Sequence, residues 1–90
     1  MNKIRVHLKV TGKVQMVGYR WSAKVEADRL GVSGWVRNVD GGSVELECEG
    51  TQEQIDAFLA WCKVGTKWGR VDNVAITEGD PKGSEGFEIL

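Results

Sequence analysis

A single proline, a single histidine, two cysteines and a net charge of -1 are the scarce features of this 90-residue chain. Each one closes off a class of protein. Cys48 and Cys62 are too few and too far apart for a disulfide scaffold or a metal knuckle, so both read as buried thiols. His7 stands alone among alternating charges, which is the setting of a solvated strand position. No His, Asp or Glu cluster has ligand spacing, and no serine or cysteine has a base close by in sequence. An enzyme made from these residues is therefore expected to work with no metal, no cofactor and no covalent intermediate.

Charge and hydropathy exclude further partners. The 12 basic and 13 acidic residues create no bulk positive field, so neither nucleic acid nor a membrane surface is expected as a partner. No apolar run approaches the ~20 residues that span a bilayer, and MNKIRVHLKV lacks the apolar centre of a signal peptide. A cytoplasmic protein is expected. With 41% hydrophobic residues over 90 positions, one compact core is affordable and two are not, so residues 1–90 read as a single domain.

Periodicity supplies the elements. KIRVHLKV, residues 3–10, alternates Ile4, Val6, Leu8 and Val10 against Lys3, Arg5, His7 and Lys9, the period of a half-buried strand. Between Trp21 and Leu30, Ala23, Ala27 and Leu30 fall at helical spacing, and Gly31 follows as a stop. VSGWVRN is a second strand and VDGG a hairpin turn. SVELECEG is a third strand, with Val44, Leu46 and Cys48 facing inward and Glu45, Glu47 and Glu49 outward. Thr51 and Gln54 have the spacing of a capping box, and Ile55, Phe58, Leu59 and Cys62 continue as the apolar stripe of a second helix. RVDNVAIT and GFEIL, parted by the turn-rich EGDPKGSE, close the chain as strands.

The order strand, helix, strand, strand, helix, strand, with a short extra terminal strand, is the split βαβ plan of an α+β ferredoxin-like sandwich. An antiparallel sheet with both helices on one face is expected. Arg5, His7 and Lys9 on the first strand complement Glu45, Glu47 and Glu49 on the third, which favours these two as central neighbours. Trp21, Trp35, Trp61 and Trp68 come from two helices, a strand and a loop. They read as core or rim packing rather than as a platform for bases.

One segment stands out chemically. GKVQMVGYRW, residues 12–21, is a glycine-containing turn from a strand into a helix, where free backbone N–H groups and the helix dipole can gather around an anion. Arg20, at the helix entrance, has the planar fork of donors that suits a phosphate. The stretch has neither a Walker ending nor a dinucleotide fingerprint. Strand-to-helix turns also carry glycine for backbone freedom alone.

GKVQMVGYR resembles the phosphate-binding loop of the acylphosphatases, written G-x-V-Q-G-V-G-F-R, and GWVRNVDGGSVELECEG, residues 34–50, resembles the second signature of that family. The resemblance covers essentially the whole chain. It implies a ferredoxin-like fold and hydrolysis of the carboxyl-phosphate bond of small acyl phosphates, with inorganic phosphate as product, by a monomer. It also implies that Arg20, with backbone amides of Gln15, Met16, Val17, Gly18, Tyr19 and Arg20 itself, holds the phosphoryl group. Asn38 is implied as the residue that positions the attacking water. The leaving carboxylate, with a pKa of about 4, needs no general acid, so an arginine, an amide cradle and an asparagine suffice.

Two departures from the family pattern follow. Tyr19 replaces phenylalanine, and its hydroxyl needs a partner if buried. Met16 replaces glycine. Where that position requires a positive φ, methionine strains or shifts the loop by roughly 1 kcal/mol or more. A catalytically weak or silent anion-binding module on the same fold is therefore the alternative reading.

Overall fold

A computed structural model describes residues 2–90. The chain runs β1 (Ile4–Lys13), α1 (Tyr19–Leu30), β2 (Ser33–Asn38), β3 (Val44–Gly50), α2 (Gln52–Val64), β4 (Arg70–Gly79) and β5 (Phe87–Ile89). The five strands form one sheet in the order β4-β1-β3-β2-β5. β1 and β3 are central neighbours, as their charge patterns suggest.

Alternation decides which face each strand buries. Val6, Leu8 and Val10 of β1 and Val44, Leu46 and Cys48 of β3 are all buried, under both helices. α1 contributes the small residues Ala23 and Ala27, and α2 contributes Ile55, Phe58 and Cys62. Local signals set the helix ends. The Thr51 hydroxyl accepts from the Gln54 amide at 3.3 Å while Gln54 Oε1 accepts from the Thr51 amide at 2.9 Å, a complete capping box. Gly31 ends α1 in a left-handed conformation at φ 80°.

The sheet is not wholly antiparallel, which corrects the expectation from sequence. β5 pairs with β2 in parallel, Gly34 opposite Phe87 and Val36 opposite Ile89. The cause is the connection. β4 ends at Gly79 on the edge remote from β5, and residues 80–86 carry the chain across the sheet to its other edge. β5 thus enters from the end at which β2 also begins.

That crossing changes the face turned away from the helices. The side chain of Glu49 is 1% exposed and accepts from the Lys82, Gly83 and Ser84 amides at 2.7, 2.9 and 3.2 Å. Arg5, 4% exposed, donates from Nη1 to Glu49 at 3.0 Å and to Ser84 Oγ at 2.7 Å, and from Nε to Glu47 at 2.6 Å. The backbone register sets Arg5 opposite Glu49, His7 opposite Glu47 and Lys9 opposite Glu45. Two of the contacts formed run diagonally, Arg5 to Glu47 and His7 to Glu45.

His7 is accordingly half-buried rather than solvated, with Nε2 2.5 Å from Glu45 Oε2. The same carboxylate accepts from Arg37 Nε at 2.6 Å. Its hydrogen bond to His7 first, then that to Arg37, outweighs partial burial and holds the Glu45 carboxyl below its ordinary pKa.

The tryptophans divide. Trp61 packs against the core beside Tyr19 and Phe58. Trp35 is half-buried under the Arg37 guanidinium. Trp21 and Trp68 are exposed and do not pack in the core. Cys48 and Cys62 are buried free thiols, each pushed upward in pKa chiefly by burial.

Candidate active site

Strand directions bring three connections to one end of the sandwich. β1 runs toward this end and leaves it through residues 14–18 into α1, β2 turns there into β3 through residues 39–43, and α2 turns there into β4 through residues 65–69. The β1–α1 loop is braced from both sides. Gln15 Nε2 donates to the carbonyls of Val39 and Ser43 at 2.8 and 2.9 Å, tying the loop to the hairpin turn. On the other side the Thr66 hydroxyl donates to the Val17 carbonyl at 2.8 Å. Val14 and Val17 are buried in the core and anchor the loop from below.

The backbone of this loop leaves donors free. Among the described residues, no backbone carbonyl accepts from the amides of Gln15, Met16, Val17 or Gly18. The first amides of α1 have no intrahelical partner because helix geometry leaves them unpaired. Gly18 is the N-cap at φ 76° and ψ 17°, with no side-chain cap to occupy those donors. Its carbonyl accepts the first helical bond, from Ser22 N at 3.0 Å.

Met16 adopts φ 64°, in the left-handed region, and its side chain is fully exposed. The loop therefore keeps the backbone that a glycine would take, and the methionine bears the strain. Of the two expected outcomes, strain or a shifted loop, the positive φ of Met16 corresponds to strain. Replacing Met16 by glycine is expected to raise the unfolding free energy by about 1 kcal/mol, since relief of the left-handed strain exceeds the added freedom of the unfolded chain. Urea denaturation checks this, and a loss of stability would show that the position tolerates methionine without strain.

A cleft of about 200 Å³ opens beside the loop, lined by Val14, Met16, Gly18, Tyr19, Arg20, Trp21, Asn38 and Ile89. Its size lies below the ~300 Å³ at which drug-sized ligands begin to fit, and suits a small substrate. Arg20 and Asn38, remote in sequence, are brought together here. Arg20 is half-buried at the second position of α1, and among the described residues no carboxylate pairs with it. Asn38 is exposed at the end of β2. Tyr19 forms part of the floor, buried, with its hydroxyl donating to the Cys62 carbonyl at 2.9 Å.

Gln15 and Val17 do not line the cleft with their side chains. One braces the hairpin and the other fills the core, so only their amides can face an anion. Trp21 and Ile89 are additions that sequence reasoning missed. Adjacency to Arg20 on the first helical turn put Trp21 near the loop but did not say which way its side chain faces. Ile89 reaches the cleft only through the pairing of β5 with β2, for which the sequence carries no local signal.

A larger cavity of about 300 Å³ lies at the opposite end, between the start of β1, the end of β4 and α2. It holds Ile4, Val6, Ile55 and Leu59 with Lys3 and Glu78 among its lining, and lacks the convergence of loop amides, arginine and asparagine. Size alone does not select the site. No helix among the described residues is long and apolar enough to cross a membrane.

Known proteins share this sequence pattern and fold. A family model described as Acylphosphatase matches residues 6–89. The acylphosphatase of Thermococcus kodakarensis is 43% identical over 90 residues, spanning 100% of this chain and 99% of that relative. The solved acylphosphatase of Bacillus subtilis superposes with a TM-score of 0.94 at 33% identity, covering 97% of this chain and 98% of its own. That of Coxiella burnetii gives 0.94 at 32% identity, with 99% and 94% covered. The two helices on one face of the sheet are thus those of a ferredoxin-like α+β fold. Identity at this level over the length of the chain, on the same topology, shows that the chain belongs to the acylphosphatase family.

Proposed function

We infer that this chain hydrolyses the carboxyl-phosphate bond of small acyl phosphates to a carboxylate and inorganic phosphate, with Arg20 and Asn38 as its catalytic residues. The observation that supports these roles is the one cleft they share beside a loop of unpaired amides. In this reading the amides of residues 15–20 and the Arg20 guanidinium receive the phosphoryl oxygens. Positive charge is then already in position where negative charge spreads in the transition state, and no bound metal is required to supply it.

Asn38 holds a water through its amide. It is too weak a base to deprotonate that water, so its contribution is alignment. The water oxygen forms a bond to phosphorus as the bond from phosphorus to the acyl oxygen breaks. The carboxylate leaves with that electron pair, and the proton of the water passes to the phosphate and solvent.

Asn38→Ala is expected to lower kcat for acetyl phosphate about a hundredfold while KM changes little, because alignment is lost and phosphoryl contacts are kept. Steady-state kinetics with a chelator present would measure it. A variant with unchanged kcat would remove Asn38 from the mechanism, and a wild-type rate abolished by the chelator would remove the metal-free reading.

On the same reading, residues 1–90 act as a single domain, a cytoplasmic monomer whose partners are the acyl phosphate and its products. The net charge of -1, and the pairing of Arg5 and His7 with glutamates on the open sheet face, support a protein without nucleic acid or membrane as partner.

A further inference from the structure

A net charge of -1 hides a separation of charge between the two ends of the sandwich. Strand and helix directions do the sorting. Toward the end that holds the cleft lie Lys9 and Lys13 of β1, Arg20 of α1, Lys63 of α2 and Lys67 of the turn that follows it. Among the described residues none of these pairs with a carboxylate. The acids of this end are mostly matched: Arg37 and His7 hold Glu45, Arg70 holds Asp72, and Asp40 of the hairpin turn remains. The other end has the opposite balance. Glu53, Asp56, Glu78, Asp80 and Glu85 have no cationic partner among the described residues, against an unpaired Lys3.

The 10 residues of β1, at about 3.3 Å each, hold these ends roughly 30 Å apart, several times the ~10 Å over which charge is screened at about 0.1 M salt. An ion at the cleft therefore responds to the basic end. Three of its lysines border the β1–α1 loop without entering the cleft. Lys13 directly precedes the buried Val14 of that loop. Lys67 follows Thr66, whose hydroxyl holds the Val17 carbonyl, and its ammonium rests over the Trp68 ring, 4.8 Å from the centroid. Lys63 sits in the last turn of α2, where it also offsets the negative end of the helix dipole. All three are exposed, and none lines the cleft.

We propose that Lys13, Lys63 and Lys67 form a basic rim that draws the acyl phosphate into the cleft through space and so lowers its KM. The proposal rests on the acyl phosphate reading above. A phosphoryl group with close to two negative charges at neutral pH feels the summed potential of the rim before it meets Arg20 or the loop amides. The rim touches neither the phosphorus nor the water. It attracts substrate and transition state alike, so its effect falls on KM and leaves kcat in place.

The test measures KM and kcat for acetyl phosphate at ionic strengths of about 0.1 M and about 1 M. It compares the wild-type chain with Lys13→Glu/Lys63→Glu/Lys67→Glu and with Lys3→Glu/Arg29→Glu/Lys82→Glu, which makes the same change in net charge at the other end. At the lower salt the rim variant is expected to show a KM about tenfold higher with kcat within about twofold, and the gap should close at the higher salt. The distal variant should keep the wild-type KM. Because KM does not depend on how much of a variant is folded, partial loss of folded protein leaves the comparison intact. An unchanged KM in the rim variant, or an equal rise in the distal one, overturns the proposal. Binding of inorganic phosphate, measured by calorimetry on the same chains, separates attraction from turnover. A wild-type chain that leaves acetyl phosphate intact, yet binds phosphate more tightly than the rim variant alone, overturns the acyl phosphate reading and keeps the rim; one that does neither overturns both.

Discussion

Arg20→Ala is expected to lower kcat/KM for acetyl phosphate roughly a thousandfold, about 4 kcal/mol of transition-state stabilisation. The size follows from position. Arg20 is half-buried in the first turn of α1, where the positive end of the helix dipole lies, so its charge adds to a field that solvent screens incompletely. No carboxylate among the described residues competes for it, so the guanidinium is not held in a structural pair that a substrate would have to break. Lysine restores the charge without the planar fork. Arg20→Lys is therefore expected to recover only part of the loss, because a point charge cannot hold two phosphoryl oxygens in a fixed plane. Binding of inorganic phosphate, measured by competitive inhibition, should weaken in both variants. Full activity in Arg20→Ala would show that the amides alone carry the transition state.

Glu49→Ala should destabilise the fold by about 3 kcal/mol, the scale on which removal of one partner strands a buried charge. For a domain of this size that lowers Tm by roughly 15 °C. The carboxylate sits at the crossing of the β4–β5 connection with the sheet and answers four donors, three consecutive amides and Arg5. Without it, the Arg5 guanidinium keeps Glu47 and Ser84 but loses its most buried counter-charge, and the amides of residues 82–84 lose their acceptor.

The same residue sets an acid limit. Burial by itself raises the Glu49 carboxyl, but the Lys82 amide, Arg5 and the Gly83 amide together outweigh it and leave the group below its ordinary pKa. A carboxyl lowered in the folded state contributes stability that is complete above its unfolded pKa of about 4.3 and is lost as pH falls through the folded value. Urea denaturation between neutral pH and pH 3 should show the wild type losing stability more steeply than Glu49→Ala. Parallel curves would mean that Glu49 is ordinary in its titration.

The effect of Glu49 reaches the cleft by a structural route. The connection that it holds leads into β5, only three residues long, and β5 carries Ile89 into the cleft wall.

Much of this was legible in the sequence because it is local. Strand alternation in residues 3–10 and 43–50 named the buried faces, and the Thr51–Gln54 spacing named a cap that forms in full. The glycines of the β1–α1 turn and Arg20 raised an anion site as an expectation, which the proposed function carries forward. Other features were not legible, because they depend on what crosses what. Glu49 and Arg5 alternate as solvent-facing residues, and only the path of residues 80–86 buries them. His7 belongs to a polar strand face, yet it pairs diagonally with Glu45 rather than with Glu47, which the register sets opposite it. Trp21 resembles any helical aromatic until the helix phase turns it toward the cleft instead of the core.

The residue types and their spacing thus determined the elements, the order of the central strands and the chemistry available at the loop, since those follow from backbone period and side-chain donors. Tertiary structure alone decided the parallel pairing of β5, the meeting of Arg20 with Asn38, and the backbone state of Met16. Each of these requires segments distant in sequence to share one end of the sheet. Gln15 and Thr66 hold the loop from the hairpin and from the α2–β4 turn, and that bracing keeps residue 16 in a conformation its own side chain disfavours.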